Sequence, residues 1–456
     1  MLHQIPAPAA SQSKPFIIQL LWLAIPIAIG IMVQTSYHII NAFWVGKLGA
    51  EALAVVSLSF PIQLVLIAVA SGLSLATSIL IAQRHGAGNH HEINLLAGQS
   101  LTGLTLLAVA LTALGLLFAP TIVHWLGADA KLQTGSVLYF RTTLLGTAFV
   151  YLNLTYQSIL RGLGEAKAPL FIIIPSVVVN ALLDPILIFG AGPIPALGVQ
   201  GAAYATVITQ ALSALAGVWL LLRPRFGFNI GAAQLRLNLN RQKQILRVGL
   251  PASIEQSMGA VTVAVVTALA SQYGVVTLAS YGVVFRVLSF CLIPGVGVSM
   301  AISILVGRHL GAGENSRVGK MAVKTAAFNF CQLAALGSAV FYYAQPIAEV
   351  FAPNDTKLQQ YATLVLQIVA VSMPFTSIQM AFNGAFRGAG DTLGAMFISL
   401  TSVWIYQIPL SLVLSYYTPL ADFGLWWATT ASAMLIGITA VIYFRIGNWR
   451  KKFELI

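Results

Sequence analysis

Long apolar runs separated by short polar breaks dominate this chain. Windows of about 20 or more largely apolar residues, the length a helix needs to cross roughly 30 Å of hydrocarbon, lie near residues 16–40, 52–82, 95–120, 134–160, 168–190 and 197–222. A second set follows near 244–270, 276–306, 320–348, 358–384, 392–416 and 421–446. The runs are too long and too evenly apolar for the alternating strands of a membrane barrel, and lipid leaves no other solution for the backbone than helices. The pattern predicts an all-α membrane protein with 12 transmembrane helices.

Composition agrees, since 58% of residues are hydrophobic and 8% charged, too few polar groups to cover a water-soluble surface. The net charge of +12 might suggest nucleic acid, but its placement makes it an orientation signal. Lys14, Arg84, Arg161, Lys167, the cations from Arg223 to Arg247 and from Arg308 to Lys324, Arg387 and those from Arg445 to Lys452 fall on the side holding both termini. Lys47, Lys131, Arg141 and Lys357 fall on the other side. By the positive-inside rule both termini are expected in the cytoplasm, the protein being a multi-pass resident of the cell's inner (plasma) membrane. No nucleic-acid partner, cofactor or removable signal peptide is expected. Cys291 and Cys331 fall in different spans, which suggests packing rather than a disulfide or metal site.

Comparing the chain with itself reveals a repeat at about 225 residues. Ile25-Pro26 matches Leu250-Pro251, Gly49 matches Gly274, and Ser78-Ile79-Leu80 with Gly86-Ala87-Gly88 matches Ser303-Ile304-Leu305 with Gly311-Ala312-Gly313. Asp129 to Gln133 matches Asp355 to Gln359, and Arg161-Gly162-Leu163-Gly164-Glu165 matches Arg387-Gly388-Ala389-Gly390-Asp391. An even number of spans separates equivalent points, so the halves keep one orientation and imply a pseudo-twofold axis along the membrane normal. The expected organisation is an N-lobe over 1–223, a cytoplasmic linker over 224–243 and a C-lobe over 244–456, two six-helix bundles around a central cleft. The glycine motifs fit no Walker or dinucleotide pattern and are read as turns, their arginines facing the cytoplasmic lipid surface.

At this point the residues resemble the multidrug and toxic compound extrusion (MATE) family of transporters. The resemblance covers nearly the whole chain and rests on Asn41-Ala42-Phe43-Trp44-Val45-Gly46, on both Gly-Ala-Gly loops, on both Arg-Gly-x-Gly-acid loops, and on Asn180 to Asp184 followed by Ile188-Phe189-Gly190. It implies a secondary antiporter, not an enzyme, that exports hydrophobic or cationic drugs while protons or Na+ enter. Many members carry an aspartate where this chain has Asn41, and an amide takes up no proton at working pH. Thr376 stands near the place of the acidic residue used by the NorM-like branch. The resemblance is therefore closer to the DinF-like branch, and the proton is the preferred coupling ion.

Only Asp184 and Glu255 among the acidic residues fall well inside a span, and an ionisable group there is costly enough to mark function. Asn180 lies one turn from Asp184. Gln34, His38 and Asn41 share a stripe near the far end of the first span, and Thr206 and Thr209 of the sixth are placed to complete a cation- or proton-binding cluster. Desolvation favours the protonated form of a carboxyl group, the property a proton carrier needs, so Asp184 is the expected carrier. Na+ held by Asp184 and Asn180 is the alternative, and His38 a possible second titrating group. Structural roles compete with this reading: Asp184 and Asn180 can bond the backbone loosened near Pro185, and His38 can be an ordinary packed histidine.

Pro26 and Pro251 interrupt the symmetry-related first spans of the two halves and are read as conformational hinges; in the family the first span bends. Glu255 and Arg286 both approach mid-membrane and form a possible charge pair in the C-lobe. Tyr37, Phe149, Tyr151, Met258, Phe375, Gln379, Met380 and Asn383 are candidate walls of a substrate cavity, since aromatic and thioether side chains adapt to several compounds. A monomer in the lipid bilayer, handling small hydrophobic or cationic substrates, is expected. The competing readings are a lipid-linked oligosaccharide flippase, which would need several cavity cations, a channel, and a membrane-embedded enzyme, for which no catalytic cluster is seen.

Overall fold

Where an apolar run meets no water, every backbone N–H and C=O must be bonded within the run, and each predicted window is accordingly helical. The structure, a computed structural model, describes residues 15–127, 130–223, 230–447 and 449. Lys14, Asp129, the first part of the linker (224–229) and the cations after Trp449 lie outside the described residues, so the expectations built on them stay with the sequence.

The first half runs α1 (Phe16–Gly46), α2 (Ala50–Gly86), α3 (His90–Trp125), α4 (Ala130–Leu145), α5 (Thr147–Gly162), α6 (Leu170–Phe189) and α7 (Val199–Leu221). A short α8 (Ala232–Leu235) precedes the second half: α9 (Leu239–Ser271), α10 (Val275–Gly311), α11 (Asn315–Tyr342), α12 (Ala344–Phe351), α13 (Thr356–Ala370), α14 (Met373–Gly388), α15 (Thr392–Leu400), a π-helical stretch (Thr401–Gln407), α16 (Ile408–Tyr416) and α17 (Phe423–Ile446). The fourth span is α4 and α5 in line, and its counterpart is α13 and α14, bent by 43°. Among the described residues ten helices are long and apolar enough to cross a membrane, or 11 with that bent pair as one span. The remaining long helix, α11, has 28 residues, long enough to cross but diluted by Arg317, Lys320 and Lys324 in its first turns and by Asn329 and Gln332 further in. The π-helical stretch just precedes Pro409, which has no N–H to return to the preceding turn; a widened turn accommodates that loss.

The chain divides into two compact units. The first contains Ile29–Ser253; the second runs from Ile254 onward and includes the start of α1 through Ala28. Within the first unit α5 is the hub, packing on α2, α3 and α7; within the second the repeat-related α14 packs on α10, α11 and α17. Each unit therefore takes in the first part of a proline-containing helix from the other half of the sequence. In the first unit Ser253 of α9 donates a hydrogen bond to the Val69 carbonyl at 3.0 Å. In the second, Gly297 of α10 lies so close to the Ala24 carbonyl that a Cβ would stand 2.8 Å from it.

Candidate functional site

α6 carries two buried polar residues one turn apart, Asn180 and Asp184, both with no exposed surface. The Asn180 amide nitrogen donates to Asp184 Oδ1 at 3.4 Å. Asp184 Oδ2 and Asn180 Oδ1 are buried without a hydrogen-bond partner. α7 closes the other side: Thr209 Oγ1 is 3.5 Å from the Tyr37 hydroxyl and donates to the Ala205 carbonyl at 2.8 Å. Asn41 of α1 donates to Thr206 Oγ1 at 3.3 Å, and Ser176 of α6 donates to the Thr209 carbonyl at 3.4 Å. Helices α1, α6 and α7 are thus tied by side-chain hydrogen bonds around Asp184, all inside the first unit.

Residues Asp184, Asn180, Asn41, Thr206 and Thr209 come together here. His38 does not: it is exposed, its ring edge-on to Tyr37 at a centroid distance of 5.7 Å. The face of α1 turned to α7 carries Tyr37 and Asn41, spaced by four, while His38 points off it. Tyr37, a candidate cavity-wall residue, stands in this cluster beside Thr209. Gln34 is half-buried. The sequence reading did not single out Tyr139 of α4, which is buried at 5% exposure; an isolated tyrosine in an apolar run carries no signal of its burial.

The second unit holds a different constellation. Glu255 Oε1 accepts hydrogen bonds from Asn383 Nδ2 at 3.1 Å and Ser399 Oγ at 3.3 Å, and Arg387 Nη1 stands 3.7 Å away. Arg387 also donates to Ser299 at 2.8 Å. The side chains of Arg387 and Glu255 are 10% and 9% exposed. Arg286, the expected partner of Glu255, is instead exposed on α10, and the ion pair is with Arg387. The sequence placed Arg387 at the cytoplasmic lipid surface because the apolar window ends near 384. The helix runs on to Gly388, and side chains on a helix lean back toward its N-terminus, which carries this guanidinium inward.

Asn383 is accordingly part of a charge network, and Tyr151 is fully buried in the packed core with its hydroxyl on the Leu66 carbonyl at 3.0 Å. Phe149, Met258, Phe375, Gln379 and Met380 are half-buried, Phe375 edge-on to Phe330 at 6.0 Å. Pro26 and Pro251 lie within α1 and α9, both helices continuing through them. No group of three or more His, Cys, Asp or Glu able to hold a metal occurs among the described residues.

A bundle of apolar helices, duplicated along the chain and burying the carboxyl group of Asp184, is the build of a multi-span membrane transporter rather than an enzyme. The MatE family model matches residues 26–186 and 251–413, one copy per half, and the chain belongs to that family. It is 29% identical over 455 residues to a probable multidrug resistance protein, YoeA, of Bacillus subtilis, covering 98% of each chain. It is 26% identical to an FAD transporter of Shewanella oneidensis, covering 92% of each. A crystal structure of MATE in the bent conformation superimposes with a TM-score of 0.91 at 25% identity, covering 99% of this chain and 100% of that one. The fold is that of the MATE transporters, and the protein works in a lipid bilayer on small substrates, as a drug-efflux transporter of that family.

Proposed function

We propose that the protein is an antiporter of the plasma membrane, monomeric and with both termini cytoplasmic, that exports hydrophobic or cationic compounds by alternating access while protons enter. Its lobes are residues 1–223 and 244–456, joined by the linker 224–243. Asp184 is the proton carrier. The observation that carries this reading is two buried acceptors on residues one turn apart, Asp184 Oδ2 and Asn180 Oδ1, neither with a hydrogen-bond donor. An ionised carboxylate only accepts hydrogen bonds, whereas a protonated one also donates; one proton on Asp184 supplies the donor the site lacks.

Na+ fits less well, because with Asn41 in place of a second acid the cluster offers a single anionic group among neutral oxygens, several of them already engaged. Transport follows from the coupling of Asp184 to α1. Protonation changes what α6 and α7 can bond, the contacts of Tyr37 and Asn41 shift with them, and α1 yields at Pro26, where a hydrogen bond of the helix is already missing.

The test is efflux of ethidium from vesicles reconstituted with the whole chain, under an imposed pH or Na+ gradient, comparing wild type with Asp184→Asn. Efflux driven by pH and lost in the variant is expected. Equal transport by the variant removes Asp184 from the coupling step, and dependence on Na+ without dependence on pH reverses the choice of ion. A flavin nucleotide belongs in the same assay, since one relative carries FAD.

A further inference from the structure

The end of the linker has a structure that a solvated connector would not need. On α3, Gln99 has no exposed surface, and its side chain is spent on one irregular segment. It donates to the carbonyls of Gln234 at 2.8 Å and Arg236 at 2.6 Å, and it accepts from the Asn238 N–H at 2.8 Å. Thr102 donates to the Leu235 carbonyl at 3.0 Å. Gly98 admits the segment: a Cβ there would stand 2.6 Å from the Gln234 carbonyl oxygen. At the start of α9, Gln242 donates to the Gln99 carbonyl at 2.8 Å, and Arg241 pairs with Glu92 at 2.7 Å.

Gln99 and Thr102 lie inside the apolar window of the third span, which opens near residue 95, so the segment is held at the depth where hydrocarbon begins. Non-helical backbone survives at that depth only where its polar groups are bonded by protein, which is what Gln99 and Thr102 provide. The outward side chains fit the same place. Leu235, Leu237 and Leu239 are 42%, 52% and 67% exposed. The exposed stripe of α9 continues with Lys243, Leu246, Arg247 and Leu250, Lys243 and Arg247 standing one turn apart on one face. Arg236, Lys243 and Arg247 make no ion pair among the described residues. Leucines beside unpaired cations, at the level where acyl chains meet headgroups, complement an anionic lipid: the chains cover the leucines and the headgroup phosphate meets the cations.

We propose that residues 231–247 form an interfacial strap that binds anionic phospholipid through Arg236, Lys243 and Arg247, with Gln99 as the latch that holds it in shape. Each basic side chain near an anionic surface is worth about fivefold in affinity, and three together about 100-fold. The purified whole chain in uncharged detergent is titrated with phosphatidylglycerol, phosphatidylcholine or inorganic phosphate while its thermal midpoint is followed. Phosphatidylglycerol raises the midpoint and the other two do not; the triple variant Arg236→Gln, Lys243→Gln, Arg247→Gln needs about 100-fold more lipid for the same rise. An unchanged response of the triple variant, or an equal rise with inorganic phosphate, overturns the proposal. Depth is read separately from a nitroxide at Leu237→Cys in a Cys291→Ser, Cys331→Ser background, in phosphatidylcholine vesicles containing phosphatidylglycerol. Collisions with oxygen are expected to exceed those with a water-soluble nickel chelate, and the opposite order also overturns it.

Discussion

Replacing Arg387 by methionine should be among the more damaging single substitutions in the second unit, and replacing its partner as well should undo most of the damage. The Glu255 carboxylate then keeps only two neutral donors, Asn383 and Ser399, with its charge still buried. At 3.7 Å and an effective dielectric of about 20, the lost attraction is about 4 kcal/mol, in line with the ~3–5 kcal/mol seen when one partner of a buried pair is removed. Glu255→Gln strands the opposite charge and should cost a similar amount. The double variant Glu255→Gln, Arg387→Met leaves no buried charge and should come within about 1 kcal/mol of wild type, since neutral groups of similar volume replace such pairs with little loss. Equilibrium unfolding in mixed detergent micelles measures all three, with Arg286→Met as the exposed control. The reasoning fails if Arg387→Met is no worse than Arg286→Met, or if the losses of the two single variants simply add.

Pro26→Ala restores the backbone bond missing from α1 and should slow turnover more than tenfold while substrate still binds, which a dye-binding titration beside the efflux assay separates. Asn180→Leu removes the donor that reaches Asp184 among the described residues; efflux should fall and its pH profile move, whereas a purely structural Asn180 would lower efflux at every pH alike. In the loop before α11, hydrogen bonding to His309, with help from Arg317, holds the Glu314 carboxyl below its ordinary value of 4.5. A depressed carboxyl stabilises the fold above its ordinary value and loses that contribution as pH falls through the lower folded one. The melting-temperature difference between wild type and Glu314→Gln should therefore be full at pH 6 and shrink steadily below about 4.5.

The spans were legible because lipid makes helices the only solution to a long apolar run, and the repeat because it copies whole motifs. The burial of Asp184 was legible for a related reason, an acid within such a run being costly enough to draw attention. The rest depended on direction, which spacing alone does not fix. Tyr37 and His38 are neighbours, and only the packing of α1 on α7 decides that the first joins the cluster and the second does not. Arg387 looked like a loop residue because one further turn of helix and the backward lean of its side chain were invisible in a hydropathy window. In the same motif the two glycines differ in duty: Gly390 has a φ of +85°, a turn requirement, while Gly388 lets α14 approach the Ser303 carbonyl of α10, which a Cβ would meet at 2.3 Å. The π-helical stretch left no trace in the sequence beyond Pro409.

The asymmetry between the halves leads to one last prediction. Arg161 is the repeat counterpart of Arg387, yet position 30, the counterpart of Glu255, is Gly30; among the described residues Arg161 donates to Ser158, at 3.1 Å, and its Nε has no partner. The surroundings match in part, since Gln157 stands for Asn383 but Ile173, which cannot donate, stands for Ser399, and the nearest neighbours of a Cβ at Gly30 would be Leu170 at 3.4 Å and Ile173 at 3.9 Å, ordinary contacts. Gly30→Glu therefore places a carboxylate where a cation lacks a partner, and it should be tolerated although a lone glutamate in a span costs several kcal/mol. In an Arg161→Met background the same substitution should cost about 3 kcal/mol more, the difference being the coupling of the pair. Equal cost in both backgrounds would show that the first half does not repeat the second around this site. If the coupling is found, the halves differ here by a removable feature: the second unit pairs Glu255 with Arg387, while in the first Arg161 and Asp184 have only neutral hydrogen-bond partners among the described residues. Asp184 lies 14 residues into α6, about 21 Å along the helix. On the proposed reading, a group so placed and so unpaired is the one to answer to the proton gradient, which a neutral pair cannot do.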